Sequence, residues 1–441
     1  MRKSSSSLLA LLIGDIAILW GSLALSLLLR YGQDEFGHAW SLHFSPFLLV
    51  FILWIFVFYI ARLYDLLQLA PKMESATRLW NALVVSVAIA TILFYTVPAL
   101  IITPKVILAL VAIISTVTLT AWRYLMGVFA RKSKKIRVVI LGSGNEVNEL
   151  ITYLARHPQL GYLLVAHHEN LGTLPNLASP ANVTDLVVVT DDALANKSIV
   201  NMLFAFLPSG LIVMDFASFY ERITGRIPLS HISETWFLEN LSEKEKRSFE
   251  IGKRIFDVAV ALLLLLPYSI LLPFIATAIF LESGRPIFYR QSRMGKLGRH
   301  FWLLKLRTMH NDAEVEGPQW ATKNDPRITI IGQLLRTSRI DELPQLWNVL
   351  KGDLSFIGPR PERPEFIATL EKDIPFYHMR HLIRPGLSGW AQINPPYYYG
   401  THEESLLKVQ YDLFYIKHRS IGLDLSIALK TLAVIFSRLG R

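Results

Sequence analysis

The stretch IGKRIFDVAVALLLLLPYSILLPFIATAIFLESG (251–284) decides the architecture of this chain. Between Asp257 and Glu282 run twenty-four uncharged residues, more than the roughly 20 that span a bilayer core. Pro267 and Pro273 sit in the middle and leave flanks of nine and eight residues. Neither flank spans alone, because at about 1.5 Å per residue each covers less than half of a ~30 Å hydrocarbon core. A helix broken at its middle can enter the membrane and return to the same face. Lys253 and Arg254 on one side, and Arg285, Arg290 and Arg293 on the other, agree with two cytoplasmic ends. A kinked spanning helix fits the same residues, since proline is tolerated in membrane helices.

Composition bounds the class of the chain. Of its 441 residues, 52% are hydrophobic, and the mean hydropathy is positive. Such a chain is too long for one domain and too apolar to be wholly soluble. Four apolar segments lie at 8–29, 46–61, 79–100 and 105–126. A secretory leader at 8–29 is rejected, because no small-residue cleavage site follows and three further segments do. Arg2, Lys3, Arg62, Lys72, Arg78 and the run RKSKKIR (131–137) put both ends of a four-helix transmembrane bundle, 1–130, in the cytoplasm. The formal charge of +10 suits anionic lipid headgroups and phosphorylated substrates, and the membrane content favours these over nucleic acid. Without cysteine, disulfides and thiolate metal sites are excluded.

Residues 131–240 read as a Rossmann-like cytosolic domain. IRVVILGSGNE (136–146) is a β-type run ending in Gly-x-Gly at a helix start, which is how a phosphate-binding turn begins. Val147 stands where a third glycine is expected, and Glu169 is a loose match for a ribose-binding acid. Nucleotide binding and a regulatory or oligomerising role both remain open. Strand-like TDLVVVT (184–190) and SGLIVMDF (209–216) complete the unit.

Downstream, 241–441 is polar from residue 285 onward and carries the chemistry. In RTSRIDELPQLWNVLKGDLSFIGPRP (336–361), Asp341 and Glu342 lie between Arg336 and Arg339 upstream and Arg360 downstream. Pro344 suggests a helix start, with Asp341 as its cap and the helix running to about Lys351. The helix dipole and the arginines would then keep Asp341 ionised, able to act as a nucleophile or a magnesium ligand. Taken alone, Asp-Glu before a helix reads as a cap with surface salt bridges. The neighbours change this: GPRP (358–361) and RPGLSGW (384–390) each present an arginine on a Gly/Pro turn, a way to aim a guanidinium at phosphate. No zinc-ligand spacing is found among His310, His378, His381 and His402.

Together, YRQSRMG (289–295), KLRTM (305–309), RTSRIDELPQL, IGPRP, RPGLSGWAQ and YDLFYIKHRSIGLDL (411–425) resemble the bacterial sugar transferases, the monotopic polyprenyl-phosphate hexose-1-phosphate transferases. The likeness runs from about residue 250 to the C-terminus, and more weakly upstream to the large members of the family. It implies a mainly α phosphoglycosyl transferase domain with a re-entrant helix at 255–283, although Leu266-Pro267 replaces the Ser-Pro often found at the break. It implies transfer of a sugar 1-phosphate from a UDP-sugar to undecaprenyl phosphate, with release of UMP. Asp341 would form the covalent intermediate and ligate magnesium (Mg2+), and Glu342 would be its partner carboxylate. Lys305, Arg307, Arg336, Arg360 and Arg384 would bind phosphate, and Gln291, Arg293 and Asp412 would line the site. This would be the first membrane step of exopolysaccharide, capsule or O-antigen synthesis, carried out by a homo-oligomer such as a dimer, with the catalytic domain on the cytoplasmic side of the bacterial inner membrane.

Two rival classes are weaker. A membrane-anchored nucleotide-sugar oxidoreductase would need a Tyr-x-x-x-Lys pair, which occurs nowhere. A non-enzymatic assembly protein on the same scaffold would be expected to have lost the carboxylate pair or the arginines, and all are present.

Overall fold

A computed structural model describes residues 2–61, 63–64, 73–97, 105–132, 135–169, 184–241, 246–311, 313, 325–394 and 401–436. Arg62, Lys72 and residues 133–134 of the basic linker therefore lie outside the described residues. The chain forms two compact units, Met1–Met214 and Asp215–Arg441.

The first unit opens with α1 (Arg2–Tyr31), α2 (Phe36–Ile60), α3 (Met73–Thr96) and α4 (Lys105–Lys132). Each contains a stretch long and apolar enough to cross a membrane. Leu19, Leu23 and Leu27 of α1 meet Phe47, Val50 and Trp54 of α2, Leu83 of α3 and Val111 of α4 in one core. Leucines at i, i+4 and i+8 stack on one helix face, which is why these three point inward together. Ile13, Ile52, Ile92 and Ile113 face outward, so the helices are apolar on both sides, as a lipid environment requires. Asp15 of α1 accepts hydrogen bonds from Arg123 of α4 (2.5 Å) and from Tyr64 just after α2 (2.9 Å), a buried polar clasp among apolar helices.

The α/β part follows with β1 (Ile136–Leu141), α5 (Asn145–Arg156), β2 (Tyr162–His168), β3 (Leu186–Val189), α6 (Lys197–Phe206) and β4 (Ile212–Asp215). The strand order is β2-β1-β3-β4, with β1 parallel to both neighbours. Gly142 and Gly144 take φ of 133° and 132°, a backbone region that favours glycine. A Cβ on Gly142 would sit 2.1 Å from the Thr190 hydroxyl. The Gly-x-Gly turn thus has a packing reason of its own, and Val147 is fully buried beneath it.

The second unit begins with α7 (Phe216–Thr224) and α8 (Glu234–Asn240), then α9 (Arg247–Ser283). The domain boundary expected at residue 240 falls inside this unit, because the 216–241 segment packs on the C-terminal helices. Ile227, Leu229 and Phe237 join Val409, Leu413 and Ile416 in one core. The expected break at Pro267 does not divide α9: one 37-residue helix runs through Pro267 and Pro273. Each proline removes one helical hydrogen bond, while Ser269 and Thr277 donate to the carbonyls of Leu266 (2.7 Å) and Pro273 (2.8 Å). Beyond α9 lie the antiparallel hairpin β5 (Phe288–Met294) and β6 (His300–Leu306), α10 (Ile330–Thr337), a 3-10 turn (Ile340–Gln345) and α11 (Leu346–Lys351). Then come β7 (Ser355–Ile357), α12 (Pro364–Asp373), a second 3-10 turn (Tyr377–Leu382), β8 (Gly386–Ser388), α13 (His402–His418) and α14 (Ile421–Phe436).

Candidate active site

The β5–β6 hairpin builds one wall of the site. Its register sets Tyr289 opposite Lys305, Gln291 opposite Leu303 and Arg293 opposite Phe301, and directly opposed residues share a face. Leu303 and Phe301 are buried with Leu346 and Val349 of α11. That burial carries the polar side chains on the same face toward the turn at 340–345.

There, Glu342 collects three cations on a single oxygen. Its Oε1 lies 2.9 Å from Arg360 Nη2, 3.3 Å from Lys305 Nζ and 3.7 Å from Arg339 Nη1. Burial alone would raise its pKa, but Arg360, Lys305 and Arg339 together outweigh burial and hold Glu342 well below the usual carboxylate range. Lys305 is pushed down by burial, against the pull of Glu342. Arg339 adopts φ 58°, a left-handed conformation costly for a side chain other than glycine and typical of sites that hold strain.

Asp341 is not the helix cap that its sequence suggests. It is the second residue of the 3-10 turn, α11 starts only at Leu346, and the residue that caps the turn is Arg339. Pro344 lies inside the turn, so the tight 3-10 winding, and not the first turn of a long helix, absorbs its missing N–H. Asp341 is buried, and its Oδ1 has no hydrogen-bond partner. Burial, together with the neighbouring Glu342, raises its pKa, and Lys305, Arg339 and Arg336 oppose that rise. A buried carboxylate oxygen left unpaired is costly, and here it lies among cations.

Arg336 of α10 is steadied by a hydrogen bond from its Nε to Thr308 Oγ1 (2.8 Å) and acts on Asp341 electrostatically. Gln291 and Arg293 join the site from β5: Arg293 donates to Gln291 Oε1 (2.5 Å) and to the Pro361 carbonyl (3.0 Å). Burial and the nearby guanidiniums of Arg360 and Arg363 push Arg293 down to about 10, against Glu362.

Three expected site residues are placed elsewhere. Arg307 donates to the Ser283 carbonyl (2.8 Å) and the Gly284 carbonyl (2.6 Å), so it ties the end of α9 and does not join Lys305. The two Gly/Pro turns clasp each other: Gly358 N donates to Ser388 O (2.8 Å) and Gly386 N to Pro359 O (2.9 Å). This presents Arg360 to Glu342 but leaves Arg384 with Lys253, Asp257 and Tyr415 around a separate small cavity. Asp412 is buried behind the site and binds Arg380 at 2.7 Å. Burial pushes Asp412 up to about 6, although Arg380, which reaches its Oδ2 through both Nε and Nη2, opposes this.

Sequence reasoning missed Arg380, Tyr377, Glu362 and Lys408. Glu362 accepts from Lys408 at 3.5 Å and lies 3.7 Å from Arg293. The only available signal for Arg380 was a lone arginine in the otherwise charge-free run IPFYHMRHLI (374–383). Among the described residues no group of three His, Asp or Glu side chains is placed to hold a metal ion. Magnesium commonly keeps one or two carboxylates and takes its remaining ligands from phosphates and water, so the unpaired oxygen of Asp341 fits such an ion.

The family model described as bacterial sugar transferase matches residues 248–438, and that described as CoA-binding domain matches 59–208. A UDP-N-acetylgalactosamine-undecaprenyl-phosphate N-acetylgalactosaminephosphotransferase of Aeromonas hydrophila is 40% identical over 220 residues, 50% of this chain and 51% of the relative. A UDP-glucose:undecaprenyl-phosphate glucose-1-phosphate transferase of Xanthomonas campestris pv. campestris is 32% identical over 324 residues, 67% of this chain and 65% of the relative. One with the same description from Caulobacter vibrioides is 41% identical over 184 residues, 41% of this chain and 68% of the relative. The chain thus spans about half of the Aeromonas relative's length and under two thirds of the Xanthomonas relative's.

Proposed function

The chain belongs to the bacterial sugar transferase family, and from that premise we propose that it transfers a sugar 1-phosphate from a UDP-sugar to undecaprenyl phosphate. The observation that carries this reading is the unpaired, buried Oδ1 of Asp341 beside a carboxylate that gathers Lys305, Arg339 and Arg360. Both substrates are phosphates, and preorganised cations are what such a reaction needs. The Asp341 oxygen bonds to the sugar-bearing phosphorus as the diphosphate P–O bond breaks, and UMP leaves with the bridging oxygen. A phosphate oxygen of the lipid then attacks the same phosphorus and releases the Asp341 carboxylate. Two steps keep the anionic substrates from meeting in the site at once. Glu342 stays ionised and holds the cations in place instead of moving protons. Asp341 and the substrate phosphates would hold a magnesium ion, whose charge offsets that of the diphosphate.

Although α9 stays helical through Pro267 and Pro273, anchors at both of its ends support a re-entrant path, bent at the two prolines instead of broken there. Arg254 donates to the carbonyls of Val349 and Leu350, and Asp257 accepts from Phe356 N. At the other end Glu282 accepts from Ile331 N, and Arg307 holds Ser283 and Gly284. A spanning helix would deliver its ends to opposite faces, yet both ends here dock on one polar unit. The catalytic unit then lies on the cytoplasmic face of the inner membrane, where UDP-sugars are, and the enzyme starts exopolysaccharide, capsule or O-antigen synthesis. The α/β part serves as an interaction module of a homo-oligomer.

Radiolabelled UDP-glucose and UDP-N-acetylgalactosamine, offered with undecaprenyl phosphate, test the reading. Label should enter the lipid extract with release of UMP. No transfer from any member of a wider UDP-sugar panel by the folded protein, or transfer by Asp341→Asn within about tenfold of the parent, a factor of only ~1.4 kcal/mol, would refute it.

A further inference from the structure

The Pro359-Arg360-Pro361 strip poses a backbone problem that points to a role for a residue outside the site. Two of its three residues lack an N–H, so ordinary strand pairing cannot hold it, and it must be gripped largely through its carbonyls. Each carbonyl has found a donor: Gly386 N holds Pro359 O (2.9 Å), Arg380 Nη2 holds Arg360 O (3.0 Å) and Arg293 Nη1 holds Pro361 O (3.0 Å). We infer that Arg380 is a positioning residue for sugar-phosphate transfer, acting through the Arg360 carbonyl to aim the Arg360 guanidinium at Glu342 and the substrate phosphates. The inference rests on the proposed reaction.

Arg380 is itself fixed on every side. Its side chain is 3% exposed and that of Asp412 1%. Nη2 and Nε both reach Asp412 Oδ2 (2.7 and 3.1 Å), and Nη1 donates to the Tyr377 hydroxyl (2.7 Å). The guanidinium also lies 5.1 Å from the centre of the Tyr377 ring. Burying such a pair is poor value for stability, because desolvation offsets much of the attraction. What it supplies is direction: a planar fork with Asp412 and Tyr377 on two of its edges leaves one N–H aimed at Arg360 O. A lysine would keep the charge and lose that geometry.

The test is a double-mutant cycle on the full chain in lipid, read as UMP release, with kcat and KM for the UDP-sugar and a thermal melt on each variant. Arg380→Lys should lower kcat/KM by about 100-fold, the order expected when a catalytic group shifts by an ångström. Arg360→Lys should be similarly impaired. Because one residue acts through the other, Arg380→Lys added to Arg360→Lys should cost less than about threefold more. Tyr377→Phe removes one acceptor and keeps the ring packing; its smaller loss should likewise vanish in the Arg360→Lys background, and this cycle decides the matter if Arg380→Lys does not fold. A merely structural Arg380 would lower the melting temperature while leaving kcat/KM per folded molecule unchanged, or would multiply with Arg360→Lys. Either result, or an unimpaired Arg360→Lys enzyme, overturns the inference. Active Asp341→Asn would instead sink the reaction itself, so the two failures are told apart.

Discussion

Cutting the chain at residue 242, where the sequence divides it, should ruin a unit that cutting at residue 215 leaves intact. Ile227, Leu229 and Phe237 are 0%, 4% and 6% exposed in the core they share with α13. At about 1.5–3 kcal/mol for each fully buried side chain, their removal costs roughly 5–9 kcal/mol, or about 3–8 after allowing for residual burial in the unfolded chain. Further contacts go with them. Glu221 accepts from Lys417 (2.8 Å) and contacts His418, Trp390 Nε1 donates to Gly225 O (2.9 Å), and the Phe237 ring packs on Phe376 (4.8 Å between centroids). A loss of this size matches much of the ~5–15 kcal/mol that keeps a typical domain folded. Fragments 215–441 and 242–441 should be purified in the same detergent, melted, and assayed for UMP release per folded molecule. The longer fragment should melt cooperatively and turn over; the shorter should melt at least about 10 °C lower or not fold at all. If the two melted within about 2 °C of each other, the 216–241 segment would contribute little, and this account of the unit would be wrong.

In the proposed reaction Asp341 must be ionised to attack, and its pKa lies above the ordinary value because of burial, so kcat/KM should fall as pH drops through that raised pKa, with a limb higher than for an exposed aspartate; a limb at the ordinary value would contradict the burial argument. For Glu342 the sign is reversed: its depressed pKa means that the stability it contributes is fully present above the unfolded value of about 4.3 and is lost as pH falls toward the folded value. Glu342→Gln should therefore abolish most activity and flatten the decline of melting temperature between about pH 5 and pH 2. A Cβ on Gly386 would lie 2.1 Å from Gly358 N, so Gly386→Ala should part the two turns and cost several-fold more activity than Gly422→Ala, whose added methyl meets nothing within 4 Å; equal activities would refute the clasp. Because the chain has no cysteine, Ser248→Cys and Ser292→Cys can report topology through an impermeant maleimide. Both should be protected in intact cells and both should react after lysis, whereas labelling of Ser292→Cys alone in intact cells would mean that α9 spans.

Much of this protein is local and therefore legible in the sequence. The helices α1 to α4 and α9 declare themselves because a bilayer-length apolar run is a property of consecutive residues. The Gly-x-Gly turn after β1 is legible because only glycine tolerates its φ. The ordered motifs around Asp341 and Glu342 identify the family because residue types and spacing persist along the chain. The partners of each side chain were not legible. Lys305 and Arg360 stand 37 and 18 residues from Glu342, and they meet on one oxygen only because the hairpin register and the clasped Gly/Pro turns bring them there. Arg307 lies two residues from Lys305, yet its guanidinium went to the end of α9, and Arg384 was drawn to another cavity when its turn locked against Gly358. Asp341 lost its expected role as a cap because a 3-10 turn replaced the first turn of a helix. Sequence period records which face of an element is buried; what a charged side chain touches depends on how separate elements dock, and that is settled by packing among residues far apart in the chain.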